Sequence, residues 1–238
     1  MLKALIFDVD GTLADTEAAH RDAFNQAFAA LGLDWHWDLP LYTELLQVSG
    51  GKERIQHYWL TYHPEQTAIG GLEPQDAVNR LHALKTAAYE AAVNAGAVQL
   101  RPGVLELMAQ AQSEGLQLAI ATTTSPPNIA ALLRRALGVN WRDNFGAVGD
   151  ALTAPVKKPD PQVYLQVLDV LQRQPDECVA FEDSLNGLRA ARAAGLATVV
   201  TPTAYTADHD FRGALRLLPD LGRVDLGRLR AWHAETAH

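Results

Sequence analysis

The chain opens with a short apolar run that is followed at once by acidic residues. The run Ala-Leu-Ile-Phe at 4–7 leads into Asp-Val-Asp-Gly-Thr-Leu at 8–13. Such a run, bounded by a turn segment, is typical of a buried strand. Because residues two apart on a strand share a face, we expect Asp8 and Asp10 to point into one small volume. The alternative is a turn that uses Asp and Gly only for their backbone preferences.

The residues after Leu13 follow a helical period. Between about residue 15 and residue 98, apolar positions recur three and four apart, as on the buried face of amphipathic helices. The predicted helices run from Thr16 to Leu31, from Pro40 to Leu46, from Lys52 to Tyr62 and from Pro74 to about Asn94. No convincing strand pattern interrupts them. We therefore predict that residues 15–98 form a helical unit of their own.

From Arg101 onward, strand and helix patterns alternate. Strands are predicted at 116–121, near 145–148, at 178–181 and at 197–200, with helices at 102–113, 127–137, 161–171 and 185–194 and a closing helix after residue 220. Such alternation implies parallel strands with right-handed crossovers and helices on both faces. The first strand must join this sheet, because a lone strand cannot satisfy its own backbone hydrogen bonds. The predicted fold class is therefore α/β, a doubly wound, Rossmann-like parallel sheet built from residues 1–14 and 99–238.

Composition and charge narrow the classes of partner. The 238 residues are 48% hydrophobic and 20% charged, as in an ordinary globular protein, and their net charge of -8 argues against nucleic acid or an anionic membrane as partner. A small anionic substrate stays open, because a local lysine and a bound cation can reverse the field inside one pocket. No apolar stretch approaches the roughly 20 residues that span a bilayer, and no leader pattern stands at the start, so we expect a cytoplasmic protein. We also expect it to be a monomer. Cys178 lies in an apolar run, which predicts a buried thiol.

Four groups of polar residues follow predicted strands or lie in loops just beyond them. They are Asp8 with Asp10, Thr122 with its neighbours, Lys157 with Lys158, and Glu182 with Asp183. Ligands of open α/β sheets bind at the carboxyl edge of the strands, so we expect these groups to converge on one site. Each group also has a structural alternative, respectively a turn, a helix cap, a solvated loop and a helix start. The conjunction of all four at one sheet edge favours a functional site.

Such a set of residues suits phosphoryl transfer, in which a protein mainly positions groups and stabilises charge. One carboxylate can attack phosphorus and form an aspartyl phosphate, and a second can protonate the leaving alkoxide and later activate water. Magnesium, which prefers oxygen ligands, would neutralise the repulsion between carboxylate and phosphate. Lysine and threonine can bind the remaining phosphate oxygens, where charge builds in the transition state.

The same four groups resemble, in order, the motifs of the haloacid dehalogenase-like hydrolase superfamily. The matching segments are Asp-Val-Asp-Gly-Thr-Leu at 8–13, the strand that ends at Thr122, Lys-Pro-Asp-Pro at 158–161 and Phe-Glu-Asp-Ser-Leu-Asn-Gly at 181–187. The helical insertion resembles the cap domain of phosphoglycolate phosphatases and β-phosphoglucomutases, so we expect residues 15–98 to be a cap. The dehalogenases of the superfamily are disfavoured, because their chemistry does not call for the second aspartate and the metal carboxylates present here.

The resemblance implies a role for each motif residue. Asp8 would be the nucleophile and Asp10 the general acid/base. Mg²⁺ would be held by the Asp8 carboxylate, the Asp10 main-chain carbonyl and Asp183, with Glu182 assisting. Thr122 and Lys158 would bind the transferring phosphate, and Lys157 would be a bystander.

Two segments of the insertion, 32–38 and 49–55, look like those of CbbY proteins associated with Rubisco operons, a branch of phosphatases acting on xylulose 1,5-bisphosphate. A bisphosphate needs cations for the phosphate that is not cleaved, and Lys52 and Arg54 beside Gly50 and Gly51 are suitable donors. A solvated helix start is the alternative for these two cations. Further substrate-binding candidates are Glu17, His20 and Thr123. Glu17 and His20 can either touch a sugar hydroxyl or lock the hinge of the insertion.

The predicted function is therefore magnesium-dependent hydrolysis of a small sugar phosphate, with xylulose 1,5-bisphosphate converted to xylulose 5-phosphate. A β-phosphoglucomutase-like phosphomutase, a phosphoglycolate-type phosphatase and a non-catalytic metal-binding module are the alternatives. Thr12, after Asp10 and Gly11, favours the phosphatase over the mutase. The polar segment 202–211 can be either a surface loop or a further edge of the site.

Overall fold

The computed structural model describes residues 1–235, and within that range the chain forms a six-stranded parallel sheet flanked by helices on both faces. The strands are β1 (Ala4–Phe7), β2 (Gln117–Ala121), β3 (Ala147–Gly149), β4 (Cys178–Glu182), β5 (Ala197–Val200) and β6 (Arg216–Leu217). The helices are α1 (Glu17–Ala30), α2 (Leu39–Leu45), α3 (Gly51–Tyr62), α4 (Pro74–Asn94), α5 (Val104–Ser113), α6 (Pro126–Leu137), α7 (Gln162–Leu171), α8 (Leu185–Ala193) and α9 (Leu226–Ala234). The predicted α/β doubly wound fold is confirmed.

The first strand lies in the interior of the sheet, whose spatial order is β3-β2-β1-β4-β5-β6. Ala4 pairs with Gln117 on one side and with Cys178 on the other, and both pairings are parallel. The carboxyl ends of β1, β2 and β4 therefore meet at one edge. The two-residue β6 strand was not predicted, because so short an edge strand carries no hydrophobic pattern.

Alternation along β1 builds a separate apolar layer on each face of the sheet. Leu5 and Phe7 belong to the layer shared with α5, α6 and α9, whereas Ala4 and Ile6 belong to the layer shared with α7 and α8. The Phe7 ring stacks on the ring of Phe181 in the neighbouring strand, with centroids 4.6 Å apart. The sheet is thus buried on both faces, as its continuously apolar strands require.

Helices α1 to α4 pack around a third apolar cluster of their own. It contains aromatic residues from α1, the following loop, α2 and α3, together with the apolar face of α4. We call this helical unit the cap, and the sheet with its helices the core. The boundaries of the insertion, 15 and 98, stay a prediction.

The two crossings between core and cap lie side by side. Ala14 forms an antiparallel bridge with Leu100, and the backbone N–H of Arg101 donates to Leu13 at 2.8 Å. The Arg101 guanidinium donates to the carbonyl oxygens of Gly11, Thr201, Pro202 and Pro219. One side chain therefore ties the first acidic loop to the segment that follows β5.

Two smaller predictions also have an outcome. Cys178 is fully buried, and burial raises the pKa of its thiol to about 12, in line with the predicted buried thiol. Among the helices of residues 1–235, none combines the length and the apolar character that crossing a bilayer requires.

Candidate active site

A cavity of about 670 Å³ lies between the carboxyl edge of the sheet and the cap. From the core it is lined by Asp8, Asp10, Thr122, Thr123, Lys158 and Asp183, and from the cap by Glu17, His20, Gly50, Gly51, Lys52 and Arg54. Of the residues predicted for the site, only Glu182 is absent from this lining, because it is buried beneath the floor at the end of β4. The four distant polar groups therefore do meet at one place.

The acidic loop that forms the floor differs from its predicted geometry in one respect. Strand β1 ends at Phe7, so strand alternation does not extend to Asp8 and Asp10. The chain instead turns at Gly11, whose φ of 80° is one that glycine adopts without strain. A Cβ atom at Gly11 would lie 2.2 Å from Oδ2 of Asp183, so the turn also packs directly on that carboxylate. The Asp8 N–H still donates to the Phe181 carbonyl of β4 at 3.0 Å, next to the last β1–β4 pair, and both aspartates line the cavity as predicted.

Lys158 is the positive centre of the floor. Its Nζ donates to Oδ1 of Asp8 at 2.7 Å, to Oε1 of Glu182 at 2.6 Å and to the carbonyl of Ala121 at 2.9 Å. Burial alone would lower the pKa of this lysine, but the two carboxylates raise it above its usual value. Burial, only partly offset by Lys158, raises the pKa of the Asp8 carboxyl to about 7. The lysine therefore stays charged while it holds Asp8 in place.

Glu182 is fixed from two sides. Its Oε1 accepts from the Tyr164 hydroxyl on α7 as well as from Lys158, and the ring of Tyr164 lies 5.1 Å from Nζ of that lysine. A Cβ at Gly187 would lie 1.8 Å from Oε2 of Glu182, which explains a glycine in the first turn of α8. Oε2 is buried and has no hydrogen-bond partner among the described residues.

The floor holds three carboxyl groups close to one another. Oxygen atoms of Asp8, Glu182 and Asp183 all lie within 4.8 Å of one another, around the single ammonium of Lys158. Burial, followed by the charges of Asp8 and Glu182, raises the pKa of Asp183 well above its usual value. Three buried carboxyl groups, among them Glu182 with its unpartnered Oε2, form a set of hard donors that fits a divalent cation.

Asp10 is held by the cap instead of by the core. Its Oδ1 accepts from the Thr16 hydroxyl at 2.7 Å and lies 2.9 Å from Nε2 of His20. The ammonium of Lys85, on α4, lies 2.8 Å from Nδ1 of the same histidine. An ammonium can only donate, so Nδ1 accepts and Nε2 carries the proton that is donated to Asp10. Burial acts to raise the pKa of Asp10, but His20 and Thr16 outweigh it and hold the pKa below its usual value.

Sequence reasoning missed Lys85, although a signal was present. Leu81, Lys85 and Tyr89 are spaced four apart on the buried stripe of α4, so a charge stands where an apolar side chain is expected. Lys85 is only 4% exposed, and burial lowers the pKa of its ammonium to about 8. A lysine in an apolar stripe is costly unless it has partners, and it therefore marks a site.

The two cap cations have different surroundings. Lys52 is exposed at the cavity, and its Nζ donates to Asn79 at 2.8 Å. The Arg54 guanidinium donates to the carbonyls of Leu45 and Val48 and lies 5.4 Å from the centre of the Tyr42 ring. Arg54 therefore braces the loop before Gly50 as well as lining the cavity.

Glu17 and Tyr42 form a pair at the cavity wall. The buried Tyr42 hydroxyl donates to Oε2 of Glu17 at 2.6 Å, and Glu17 lines the cavity. The same hydroxyl accepts from Nη1 of Arg54 at 3.4 Å.

Several residues that were not predicted as catalytic or substrate-binding also belong to the cavity or its rim. The amide of Asn186, on α8, donates to the carbonyl of Gln47 at 3.1 Å and to the hydroxyl of Ser49 at 3.2 Å, and so joins core to cap. The cavity lining also includes Asn128, Lys157, Thr206 and His209. The last two belong to segment 202–211, which is therefore an edge of the cavity and not only a surface loop.

The chain was compared with family models, with curated proteins and with solved structures, and all three comparisons gave matches. The sequence model of the haloacid dehalogenase-like hydrolase matches residues 2–195. The CbbY protein of a Cupriavidus necator plasmid is 53% identical over 251 residues, which cover 99% of this chain and 98% of that protein. The crystal structure of CbbY from Rhodobacter sphaeroides in complex with phosphate is 43% identical, with a TM-score of 0.88 over 97% of this chain and 100% of that chain.

A mutant of the Rhodobacter sphaeroides protein has been crystallised in complex with xylulose-(1,5)bisphosphate. It is likewise 43% identical, with a TM-score of 0.87 over 95% of this chain and 98% of that chain.

Proposed function

The chain belongs to the haloacid dehalogenase-like hydrolase family and is a phosphatase, and we propose that it hydrolyses xylulose 1,5-bisphosphate to xylulose 5-phosphate. The observation that carries the proposal is that Asp8 and Lys52 line the same cavity, one from the core and one from the cap. A bisphosphate can place one phosphate on the core residue and the other on the cap residue. The complex of the related mutant with this sugar supports the choice of substrate.

The first half-reaction is assigned to Asp8. Lys158 bonds Oδ1 of Asp8, which leaves the second carboxylate oxygen to attack phosphorus. A bond forms between that oxygen and phosphorus while the bond from phosphorus to the sugar oxygen breaks, which gives an aspartyl phosphate. Lys158 and the Thr122 hydroxyl bind the phosphoryl oxygens as their charge builds.

Proton transfer is assigned to Asp10. Arrival of a phosphate dianion beside Asp10 raises its pKa, because nearby negative charge disfavours the ionised carboxylate, so Asp10 can take a proton from solvent and deliver it to the leaving sugar oxygen. After the sugar leaves, the contacts with His20 and Thr16 favour the ionised form again. Asp10 can then take a proton from the water that attacks the aspartyl phosphate. His20, oriented by Lys85, keeps the carboxylate turned towards the cavity.

The acidic floor is assigned to Mg²⁺. Asp8 and Asp183 would hold the ion, together with the main-chain carbonyl of Asp10, and Glu182 would assist through its unpartnered Oε2. When bound, the ion supplies charge neutralisation between the Asp8 carboxylate and the incoming phosphate.

Substrate selection is assigned to the cap. Lys52, supported by the charge of Arg54, binds the phosphate that is not transferred, and Gly50 and Gly51 let the backbone approach it. Glu17 accepts a hydrogen bond from a sugar hydroxyl, with Thr123 on the facing core wall. His20 is assigned to holding Asp10 and the hinge, and not to binding the sugar, since both of its ring nitrogens already contact protein atoms.

A panel of phosphate esters tests the proposal. Purified protein with Mg²⁺ is given xylulose 1,5-bisphosphate, β-glucose 1-phosphate and phosphoglycolate, and free phosphate and isomerised sugar phosphate are both measured. We expect free phosphate, with the highest kcat/KM for the bisphosphate. An isomerised sugar phosphate without free phosphate would establish a mutase, and a preference for phosphoglycolate would establish a monophosphate phosphatase.

A pair of variants tests the nucleophile and the cap cations. Asp8→Asn removes the attacking oxygen charge, so turnover should disappear while the sugar bisphosphate still binds. Lys52→Ala should raise KM for the bisphosphate and leave phosphoglycolate hydrolysis unchanged. Persistent turnover in Asp8→Asn would remove the assignment of the nucleophile.

A further inference from the structure

Segment 201–206 of the core contacts both Arg101, beside the two crossings between core and cap, and the cap itself. The carbonyls of Thr201 and Pro202 accept from Arg101, which lies just after the return crossing from the cap. The turn that follows is closed by Thr203 and Thr206, because Thr203 N–H donates to the Thr206 hydroxyl at 3.0 Å and Thr206 N–H donates to the Thr203 carbonyl at 3.2 Å. The loop between the two threonines is therefore held in a defined shape.

Tyr205, at the tip of this turn, leaves the core and packs on the cap. Its half-buried side chain lies against the apolar cluster of the cap. Its ring meets the fully buried ring of Tyr42 edge to face, with centroids 6.1 Å apart and planes at 89°. This is a favourable geometry for two aromatic rings.

The contact continues from Tyr42 to the cavity. The hydroxyl of Tyr42 donates to Oε2 of Glu17, and Glu17 faces the cavity that Tyr205 itself does not line. The ring of Tyr42 also contacts the rings of Phe24 and Trp37, and the Arg54 guanidinium lies over it. Tyr205 thus forms the core side of the aromatic pocket around Tyr42. The hydroxyl of Tyr42 in turn fixes the Glu17 carboxylate at the cavity wall.

We propose that Tyr205 is a positioning residue for substrate selection, which acts through the Tyr42 ring on the carboxylate of Glu17. The inference rests on the proposed function, because Glu17 is taken there to contact the sugar. The core and the cap are separate chain segments, and Glu17, Tyr42 and Arg54 all belong to the cap. Tyr205 is the core residue that supports this group, so it orients Glu17 when the cap lies over the substrate.

The test is a double-mutant cycle read with two substrates. Tyr205→Ala removes the ring, Tyr42→Phe removes the hydroxyl that holds Glu17, and the combined variant carries both changes. Each protein is assayed with xylulose 1,5-bisphosphate and with p-nitrophenyl phosphate, an aryl ester with no sugar hydroxyl to reach Glu17. Tyr205→Phe is the conservative control, since it retains the ring, and thermal unfolding of every variant verifies folding.

We expect Tyr205→Ala to lower kcat/KM for the bisphosphate about three- to tenfold, mainly through KM, in keeping with the strength of an aromatic pair. Hydrolysis of p-nitrophenyl phosphate should stay within about twofold, Tyr205→Phe should behave as wild type, and the Tyr205→Ala effect should shrink in the Tyr42→Phe background, as coupled residues require. Equal losses on both substrates, additive effects, or a Tyr205→Phe variant as impaired as Tyr205→Ala would overturn the inference.

Failure of the proposed function gives a different result. A wild-type protein that releases phosphate from another sugar phosphate, and not from xylulose 1,5-bisphosphate, would overturn the substrate assignment alone. The same cycle on that sugar phosphate would then decide the role of Tyr205.

Discussion

The ammonium of Lys85 lies 2.8 Å from Nδ1 of His20, and this contact sets which ring nitrogen of His20 carries the proton that faces Asp10. The two residues are 65 positions apart and belong to different cap helices, α4 and α1. The orientation of the proposed general acid/base of the core therefore depends on the packing of two helices in the cap.

Replacing Lys85 should lower the turnover rate more than it weakens substrate binding. In Lys85→Met, which retains the length of the side chain, His20 loses the donor that fixes its tautomer, so Asp10 loses a defined hydrogen bond. We expect kcat to fall by about 10- to 100-fold, which is part of the roughly 100- to 10,000-fold that general acid–base catalysis contributes, with KM nearly unchanged. Steady-state kinetics of Lys85→Met beside Arg80→Met, a change on the exposed side of the same helix, would test this. A pure KM effect would contradict it.

The pKa of Lys85 predicts how kcat changes at alkaline pH. Burial lowers the pKa of Lys85 to about 8, so the group loses its proton as pH rises through that value. The cation beside His20 then disappears, and kcat should decline above about pH 8. The decline should be absent in Lys85→Met, whose side chain does not titrate. A profile of kcat against pH from 6 to 9.5 for both proteins is the measurement, and an identical alkaline limb in the two would contradict the assignment.

Removing Lys158 should destabilise the fold as well as abolish activity. Lys158→Met leaves Asp8 and Glu182 buried without their cation, and an uncompensated buried charge costs about 3–5 kcal/mol. Urea unfolding in EDTA should show that loss. Lys157→Met is the matched control, because the neighbouring lysine donates only to the Ala151 carbonyl and should alter stability by less than about 1 kcal/mol. Equal effects of the two changes would contradict the importance of the Lys158 contacts.

Metal and pH should act together on stability. Burial raises the pKa of Asp8 to about 7 from the 3.8 of an exposed aspartate, so the folded state binds this proton more tightly than the unfolded state. The stabilising contribution is complete below about pH 4 and is lost as pH rises through about 7. In EDTA, this group should therefore lower Tm between pH 5 and pH 7.5, and Mg²⁺ should raise Tm most at the upper end, where the carboxylates are ionised.

Thermal unfolding across that pH range, with and without Mg²⁺, is the measurement for this prediction. The Asp8→Asn variant is the control, since its side chain does not titrate and its Tm should fall less. A Mg²⁺ effect that is largest at pH 5 would contradict it.

Substituting Gly187 should disturb the floor without touching the substrate. A Cβ there would overlap Oε2 of Glu182, so Gly187→Ala must displace that carboxylate and loosen its hold on Lys158. We expect a higher Mg²⁺ requirement and a loss of about 1–3 kcal/mol, as for an overpacked core position. Gly227→Ala in α9, where the nearest atom is Oδ1 of Asp225 at 3.2 Å and has to shift only slightly, should have a smaller effect on stability and none on the Mg²⁺ requirement. A Gly187→Ala protein with wild-type Mg²⁺ dependence would contradict this role.

Most helices and strands could be predicted from local sequence patterns. The helix Pro74–Asn94 and the strand Ala197–Val200 lie where their periodicity places them, because the hydrophobic stripe and the end signals are local properties of the chain. Strand β3 lies one or two residues beyond its predicted position, and β6 was missed, since short strands at the sheet edge leave little pattern. Strand β1 ends at Phe7, just before Asp8 and Asp10, but both residues line the cavity as predicted.

The sequence by itself determined the order of the strands and helices, the α/β class and the four polar groups at the carboxyl ends of the strands, because spacing and turn residues are written along the chain. Tertiary structure alone decided which distant side chains meet: Lys85 with His20, Asn186 with Ser49, and Tyr205 with Tyr42. These contacts join separate helices and loops, and each depends on how the cap packs on itself or on the core. Burial, and with it the pKa of each site group, follows from that packing and not from the neighbours of a residue in the sequence.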